Sequence, residues 1–313
     1  MRSVLVPAHF ADFLRPVASE CGVALLPYDA SGITQADGAA SALFRWWLSE
    51  DQAERLMNAH PLEWIHTGSA GVDHILTPRF LERSIVLTNS AGVHAPSIAE
   101  WVVGMMLAEE KRFREVYRNQ RDRVWEKVER DELSGKRVLL IGAGRIAREI
   151  AARLAPFEMT ITAVARTARE DTAFNRVTTA GELRSEAAST DWLIAAVPLT
   201  SDTRGIVSAD VIAAMKSTAR FVNVSRGEIV DEVALLESLL DRRTAGAVLD
   251  VFEEEPLPPD HPFWTMENVV VLPHTTWRSP LVRGRQLELF SDNLRRFVRG
   301  EPLFNVVDTR RGY

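Results

Sequence analysis

Cysteine is all but missing from the chain. A single thiol, Cys21, among 313 residues excludes an intramolecular disulfide framework and any cysteine-built metal cluster, and it predicts a reducing, cytoplasmic setting. The seven histidines show no H-x-x-H or H-E-x-x-H spacing, so no metal site is expected. Long apolar runs are lacking too: the first 17 residues are interrupted by Arg2, Asp12 and Arg15, unlike a signal peptide or a membrane span, and a soluble protein is expected. Nor is there charge of one sign. The net charge is −6, and the most charged stretch, Glu109 to Glu132, sets eight basic residues against eight acidic ones. A nucleic-acid surface needs net positive charge, so neither nucleic acid nor membrane is an expected partner. Gly68-Ser69-Ala70-Gly71 has the composition of a nucleophile elbow without its G-x-S-x-G spacing, which argues against serine hydrolysis.

What is present begins with Val138-Leu139-Leu140-Ile141, an apolar strand signal that breaks into Gly142-Ala143-Gly144-Arg145-Ile146-Ala147 and continues as a helical pattern to Leu154. The unpaired N–H groups and the dipole at such a helix start favour an anion, here a pyrophosphate. Gly142 permits the tight turn, Gly144 lets phosphate approach the backbone, and Ala147 keeps the helix close to the sheet. A second strand, Met159 to Ala165, completes a β-α-β unit. At its tip, where a carboxylate would read an adenosine ribose, stand Arg166 and Thr167. A guanidinium and a hydroxyl suit a 2′-phosphate, so NADP(H) is favoured, while Glu170 and Asp171 in the following loop keep NAD(H) open.

The chain is long enough for two domains. Apolar runs at Val4–Val6, Val23–Leu26, Ala42–Trp46, Trp64–Thr67 and Val86–Thr88 alternate with helical patterns, the mark of a parallel sheet covered on both faces. A helix from Ser97 to Arg112, with Ser97 as cap and Glu100 three residues on, leads to the nucleotide-binding part. Further strands at Trp192–Val197, Phe221–Val224, Gly246–Leu249 and Val269–Leu272 bring that sheet to about six strands, and a last helix, Leu281 to Arg299, returns to the first part. The expected fold is α/β, two doubly wound parallel-sheet domains with an active-site cleft between them. Residues 1–96 plus 281–313 form a flavodoxin-like substrate-binding domain, and 97–280 a Rossmann dinucleotide-binding domain.

Chemistry-bearing residues close three late segments: Phe221-Val222-Asn223-Val224-Ser225-Arg226-Gly227, Leu249-Asp250 through Glu255-Pro256, and Leu272-Pro273-His274. With the glycine turn, Asp191 to Thr200, Thr203-Arg204-Gly205, Gly68 to Asp73, and Asn89 to His94 followed by Ala99-Glu100, the chain resembles the D-isomer-specific 2-hydroxyacid dehydrogenase family over nearly its whole length. The resemblance implies Arg226, Glu255 and His274 as catalytic residues. His274 would exchange a proton with the substrate oxygen, Glu255 would pair with the imidazolium, and Arg226 would bind carboxylate and polarised carbonyl. It implies substrate contacts from Ser69, Ala70 and Gly71, through the backbone N–H groups of Ala70 and Gly71, beside those of Arg226 and His274. Cofactor contacts fall to Gly142, Ala143, Gly144, Arg145, Ile146, Arg166, Thr167, Val197, Pro198, Thr203, Val224, Ser225 and Asp250, the last at the nicotinamide amide.

After His274 the run Thr275-Thr276-Trp277-Arg278 departs from the small residues frequent in the family, so Trp277 would reshape the pocket and Arg278 would add charge or face solvent. Trp46 and Trp47 either face the cleft or pack in the core. These features and Arg166 point to the glyoxylate and hydroxypyruvate reductase-like branch, with a small 2-oxo acid as substrate. Alternatives are a formate- or phosphite-type dehydrogenase and a nucleotide-sensing protein like the C-terminal-binding corepressors. Phe113, Val116, Tyr117, Val124, Trp125 and Val128 recur at helical intervals on a solvated arm, and a homodimer is expected.

Overall fold

The structure is a computed structural model that describes residues 2–30, 39–72 and 74–311. It divides into two compact units, Met1–His94 with Ser279–Tyr313, and Ala95–Arg278.

The first unit carries β1 (Ser3–Pro7), β2 (Ala24–Tyr28), β3 (Ala42–Arg45), β4 (Trp64–Thr67) and β5 (Val86–Asn89), all parallel, in the flavodoxin-like order β2-β1-β3-β4-β5. Successive side chains point to opposite faces, and both faces are covered. Leu5, Leu43 and Ile65 enter one apolar cluster; Val4, Val6, Phe44 and Trp64 enter another with Phe290 and Leu294 of the helix Pro280–Arg299. The edge of β5 is closed by the chain's last segment, where Val306 bridges Thr88 and the Val307 N–H donates to the Leu87 carbonyl at 2.8 Å. Behind the end of β4 lies a buried polar knot. His66 places its ring nitrogens 2.8 Å from Thr88 Oγ1 and 3.2 Å from Ser90 Oγ, and burial lowers its pKa to about 3, leaving the ring neutral.

The second unit carries β6 (Arg137–Ile141), β7 (Thr160–Ala165), β8 (Arg176–Thr179), β9 (Trp192–Ala195), β10 (Arg220–Asn223), β11 (Gly246–Leu249) and β12 (Val269–Val271), in the parallel order β12-β11-β10-β9-β6-β7-β8. This is the Rossmann arrangement with one further strand beyond the sixth. Leu139 and Ile141 pack on one face with Leu183 and Val211, Val138 and Leu140 on the other with Met106 and Ile150. The sheet has seven strands rather than six. The unexpected one, β8, is a short edge strand, Arg176-Val177-Thr178-Thr179, with only its two central residues buried, so it carries no apolar run to betray it.

Two helix boundaries also differ from expectation. The helix spans Ala95–Glu110, so Ser97 is inside it rather than capping it; Pro96 takes the first turn, where its missing N–H costs nothing, and Ser97 Oγ donates instead to the Thr276 carbonyl at 2.8 Å. Arg112 then turns left-handed, with φ 53°, and only Phe113–Asp122 of the charged arm is helical. Phe113, Val116, Tyr117 and Val124 are exposed on this arm, and Trp125 is 93% exposed.

Candidate active site

Because every strand of the second unit is parallel, the segments that follow β6, β9, β10, β11 and β12 leave from one edge of the sheet. Gly142 leaves β6 with φ 111°, and its N–H donates to the Val164 carbonyl at 2.9 Å. A Cβ there would overlap the Ala196 carbonyl oxygen, so only glycine fits. Gly144 caps the helix Arg145–Leu154 with no side chain bonded to the helix start, and a Cβ built on it meets open space. An open cradle beneath uncapped N–H groups fits a dinucleotide pyrophosphate. Ala147 is fully buried against the sheet.

The remaining cofactor-side residues form the rim. The Val197 N–H donates to Ser225 Oγ at 3.0 Å, tying the chain after β9 to that after β10, and Thr203 Oγ1 donates to the Pro198 carbonyl at 2.7 Å, closing the segment after β9 on itself. Arg166 and Thr167 follow β7 and are exposed. Asp171, one of the two loop carboxylates that kept a ribose contact open, is held by both terminal guanidinium nitrogens of Arg148, at 3.0 and 2.5 Å, and approached by Arg169 at 3.5 Å.

His274 is the most constrained residue of the rim. Its backbone is left-handed, with φ 47°, an arrangement that a side-chain-bearing residue keeps only when its surroundings enforce it. The enforcement is visible. Its N–H donates to the Asp250 carbonyl at 2.9 Å, its carbonyl accepts from Trp277 Nε1 at 2.9 Å, and its Nδ1 lies 2.8 Å from Glu255 Oε2. Glu255 is itself fixed, with Oε1 accepting from the Phe252 N–H at 3.1 Å. With Nδ1 so engaged, Nε2 is the ring nitrogen left to face a ligand, and the His274 and Glu255 side chains are 38% and 37% exposed. Asp250 is buried and accepts from the Thr275 N–H at 2.8 Å, the Thr276 N–H at 3.2 Å and Thr276 Oγ1 at 2.6 Å. Its burial pushes its carboxyl pKa up against the pull of those Thr bonds.

Arg226 leaves β10, the neighbour of β11. Its backbone is set by Asn223, fully buried, whose Oδ1 accepts from the Ser225 N–H at 3.0 Å and whose Nδ2 donates to the Arg226 carbonyl at 2.9 Å. Arg226 Nη1 donates to the Ser225 carbonyl at 2.9 Å. The residue after it, Gly227, packs so tightly that a Cβ would overlap the backbone of Phe252 and Glu253.

In the first unit, Ser69, Ala70 and Gly71 follow β4; Asp73 of the same motif lies outside the described residues. Trp46 packs edge-on to Phe10 and Phe44 and presses on Gly68, whose Cβ would strike the indole. Its role is core packing. Trp47 is 75% exposed. Trp277 packs on the apolar cluster of the second unit, with the Arg278 guanidinium 5.7 Å from its ring centre. Asn223 and the Thr276 hydroxyl escaped the sequence reading. Both act by holding backbone, and neither sits in a motif that announces it.

Comparison with known proteins agrees with this architecture. Residues 103–276 match the family model for the D-isomer specific 2-hydroxyacid dehydrogenase NAD binding domain. The chain is 36% identical over 255 residues to a glyoxylate reductase of Thermofilum pendens, covering 79% of this chain and 75% of that protein. It is 34% identical to glyoxylate/hydroxypyruvate reductase A of Arabidopsis thaliana, over 82% and 81% of the two chains. Among solved structures, an NADPH-dependent glyoxylate/hydroxypyruvate reductase of Sinorhizobium meliloti, in complex with NADP and sulfate, superposes with a TM-score of 0.84 at 28% identity, covering all of both chains. The chain belongs to the D-isomer specific 2-hydroxyacid dehydrogenase family. It is accordingly an NAD(P)-dependent oxidoreductase acting on 2-hydroxy and 2-oxo acids.

Proposed function

We propose that the protein reduces a small 2-oxo acid of the glyoxylate or hydroxypyruvate type to the 2-hydroxy acid, of D configuration where a stereocentre results, with NADPH preferred over NADH. The observation that carries this reading is the 2.8 Å His274–Glu255 pair on a loop whose backbone is held at both ends. A carboxylate bonded to Nδ1 fixes the ring's orientation and leaves Nε2 to carry the proton that a reduced carbonyl oxygen needs. The bound nicotinamide would supply the hydride to the carbonyl carbon. His274 Nε2 donates its proton to the carbonyl oxygen and regains one from solvent through its exposed face. Arg226 binds the substrate carboxylate and polarises the carbonyl, a task suited to a permanently charged fork. Of the loop residues Ser69, Ala70 and Gly71, the last two would bind a substrate carboxylate through their backbone N–H groups.

Gly142, Ala143, Gly144, Arg145 and Ile146 would hold the pyrophosphate, and Val197, Pro198, Thr203, Val224 and Ser225 would line the cofactor's path. Asp250 would meet the nicotinamide amide while keeping the His274 loop in place. Arg166 and Thr167 would take the 2′-phosphate. This is supported by the pairing of Asp171 with Arg148, which occupies one of the two loop carboxylates, Glu170 and Asp171, that would repel that phosphate. The Thermofilum and Arabidopsis names and the NADP-bound Sinorhizobium structure favour the same substrate class and cofactor.

Assays of glyoxylate, hydroxypyruvate and pyruvate with NADH and NADPH side by side test the reading, and turnover of none of them sinks it. Arg166→Ala weakens NADPH binding by about 10- to 100-fold and leaves NADH within about twofold, since one charge-assisted phosphate contact is lost. Equal weakening of both cofactors in a binding titration removes Arg166 from the phosphate site. The exposed Phe113 and Tyr117 of the arm's helix, with Trp125 just beyond it, fit a homodimer contact with a second copy. Sedimentation of the wild type as a dimer, and of Trp125→Glu as a weaker one, is the expected result; a wild-type monomer contradicts it.

A further inference from the structure

The loop after β4 is held chiefly by its carbonyls: the Gly68 N–H still donates to the Arg45 carbonyl at 3.2 Å, but from Gly68 to Ala70 each carbonyl is bonded inward. The Gly68 carbonyl accepts from Gln286 Nε2 at 2.5 Å, the Ser69 carbonyl from the Ser90 N–H at 2.9 Å, and the Ala70 carbonyl from Asn89 Nδ2 at 2.8 Å. In a trans peptide the C=O and the following N–H point in opposite directions. Drawing the Ser69 and Ala70 carbonyls inward therefore turns the Ala70 and Gly71 N–H groups outward, and among the described residues neither donates to an acceptor. The Ser69 N–H, by contrast, turns toward Thr67 Oγ1 at 3.4 Å.

We propose that Asn89, which draws in the Ala70 carbonyl and so turns the Gly71 N–H outward, and Gln286, which fixes the Gly68 peptide at the start of the loop, are positioning residues for a clamp on an anionic carboxylate. The inference rests on the reading of this loop as the substrate-carboxylate clamp. Asn89 is buried and used at both ends. Its Oδ1 accepts from the Ala91 N–H at 3.1 Å, while its own carbonyl and that of Ala91 accept from Asn305 Nδ2 at 3.1 and 2.9 Å. Its amide is thus aimed at Ala70 by a frame that reaches from β5 to the chain's final segment. Gln286 reaches the loop from the buried face of the helix Pro280–Arg299, on the side that also presents Val282 and Phe290. Packing alone asks for an apolar residue there. Gln286 is 3% exposed and its Oε1 has no hydrogen-bond partner among the described residues, so the amide is kept at a cost that its donor end, bonded to Gly68 and 3.4 Å from His94 Nε2, offsets. Burial lowers the His94 pKa to about 4, so its ring is neutral and adds no charge to the loop.

The probes are oxamate, a carboxylate analogue of a 2-oxo acid, and oxamide, in which an uncharged amide replaces that carboxylate. Their competitive inhibition constants are measured on the wild type, Asn89→Ala and Gln286→Leu. Both variants are uncharged, so no new repulsion confuses the comparison. The wild type is expected to prefer oxamate. In each variant that preference shrinks about tenfold or more and KM rises, while kcat and NADPH affinity stay within about threefold, the pattern of lost uniform binding. A wild type that does not distinguish the two probes overturns the clamp itself. A wild type that does, with variants that keep its full preference, leaves the clamp standing and overturns the role of Asn89 and Gln286.

Discussion

Replacing His274 by Gln lowers kcat for reduction of glyoxylate or hydroxypyruvate by about 10²- to 10⁴-fold, with NADPH affinity within about twofold of wild type, because a positioned acid contributes about that much. The substitution keeps the approximate volume and polarity of the ring and removes its ability to give up a proton near neutral pH. It also removes the partner of Glu255, whose other oxygen stays bonded to the Phe252 N–H, so the loop beneath remains tied. Steady-state kinetics with a parallel cofactor titration decides the matter. A variant that keeps most of its turnover means that no proton passes through residue 274, as formate or phosphite oxidation would allow, and the 2-oxo acid reading then fails.

Arg226→Lys is expected to lower kcat/KM for the same substrates by about 10- to 150-fold, the range that corresponds to losing one charge-assisted hydrogen bond. Charge is retained, so the loss isolates the shape of the guanidinium: one fork can address a carboxylate and a neighbouring carbonyl together, whereas an ammonium is a point. Asn223 holds the backbone around residue 226 at two points, so the loop survives the exchange even though the Arg226 bond to the Ser225 carbonyl is lost. If NADPH affinity falls by as much as kcat/KM does, the residue belongs to the cofactor and not to the substrate.

Much of this arrangement is legible in the sequence because parallel sheets buried on both faces write themselves as short apolar runs, and because Gly142 and Gly144 sit where one such run ends. The edge strand β8 is not legible, since half of it faces water and its residues are mainly polar. At the start of the helix Ala95–Glu110 two signals compete: Ser97 with Glu100 reads as a capping box, Pro96 as a first turn, and the ring's fixed geometry wins. Glu255 and His274 are legible as residue types at segment ends, but their 2.8 Å contact is not, because it joins positions nineteen apart through a loop of irregular path. Asn89, Asn223 and Gln286 are silent for a related reason. Each acts on another residue's carbonyl, and nothing in local spacing records which carbonyl a buried amide will meet.

The contact at Gly227 limits how this enzyme can be altered. Main chain lies against main chain there, with no side chain to trim or enlarge, so the distance between the guanidinium-bearing turn and the acidic turn is a fixed dimension. Bulkier acids will not be admitted by widening that gap. Selectivity has to be rewritten in the side chains around it, and any lineage or engineer that retargets the catalyst inherits this spacing unchanged.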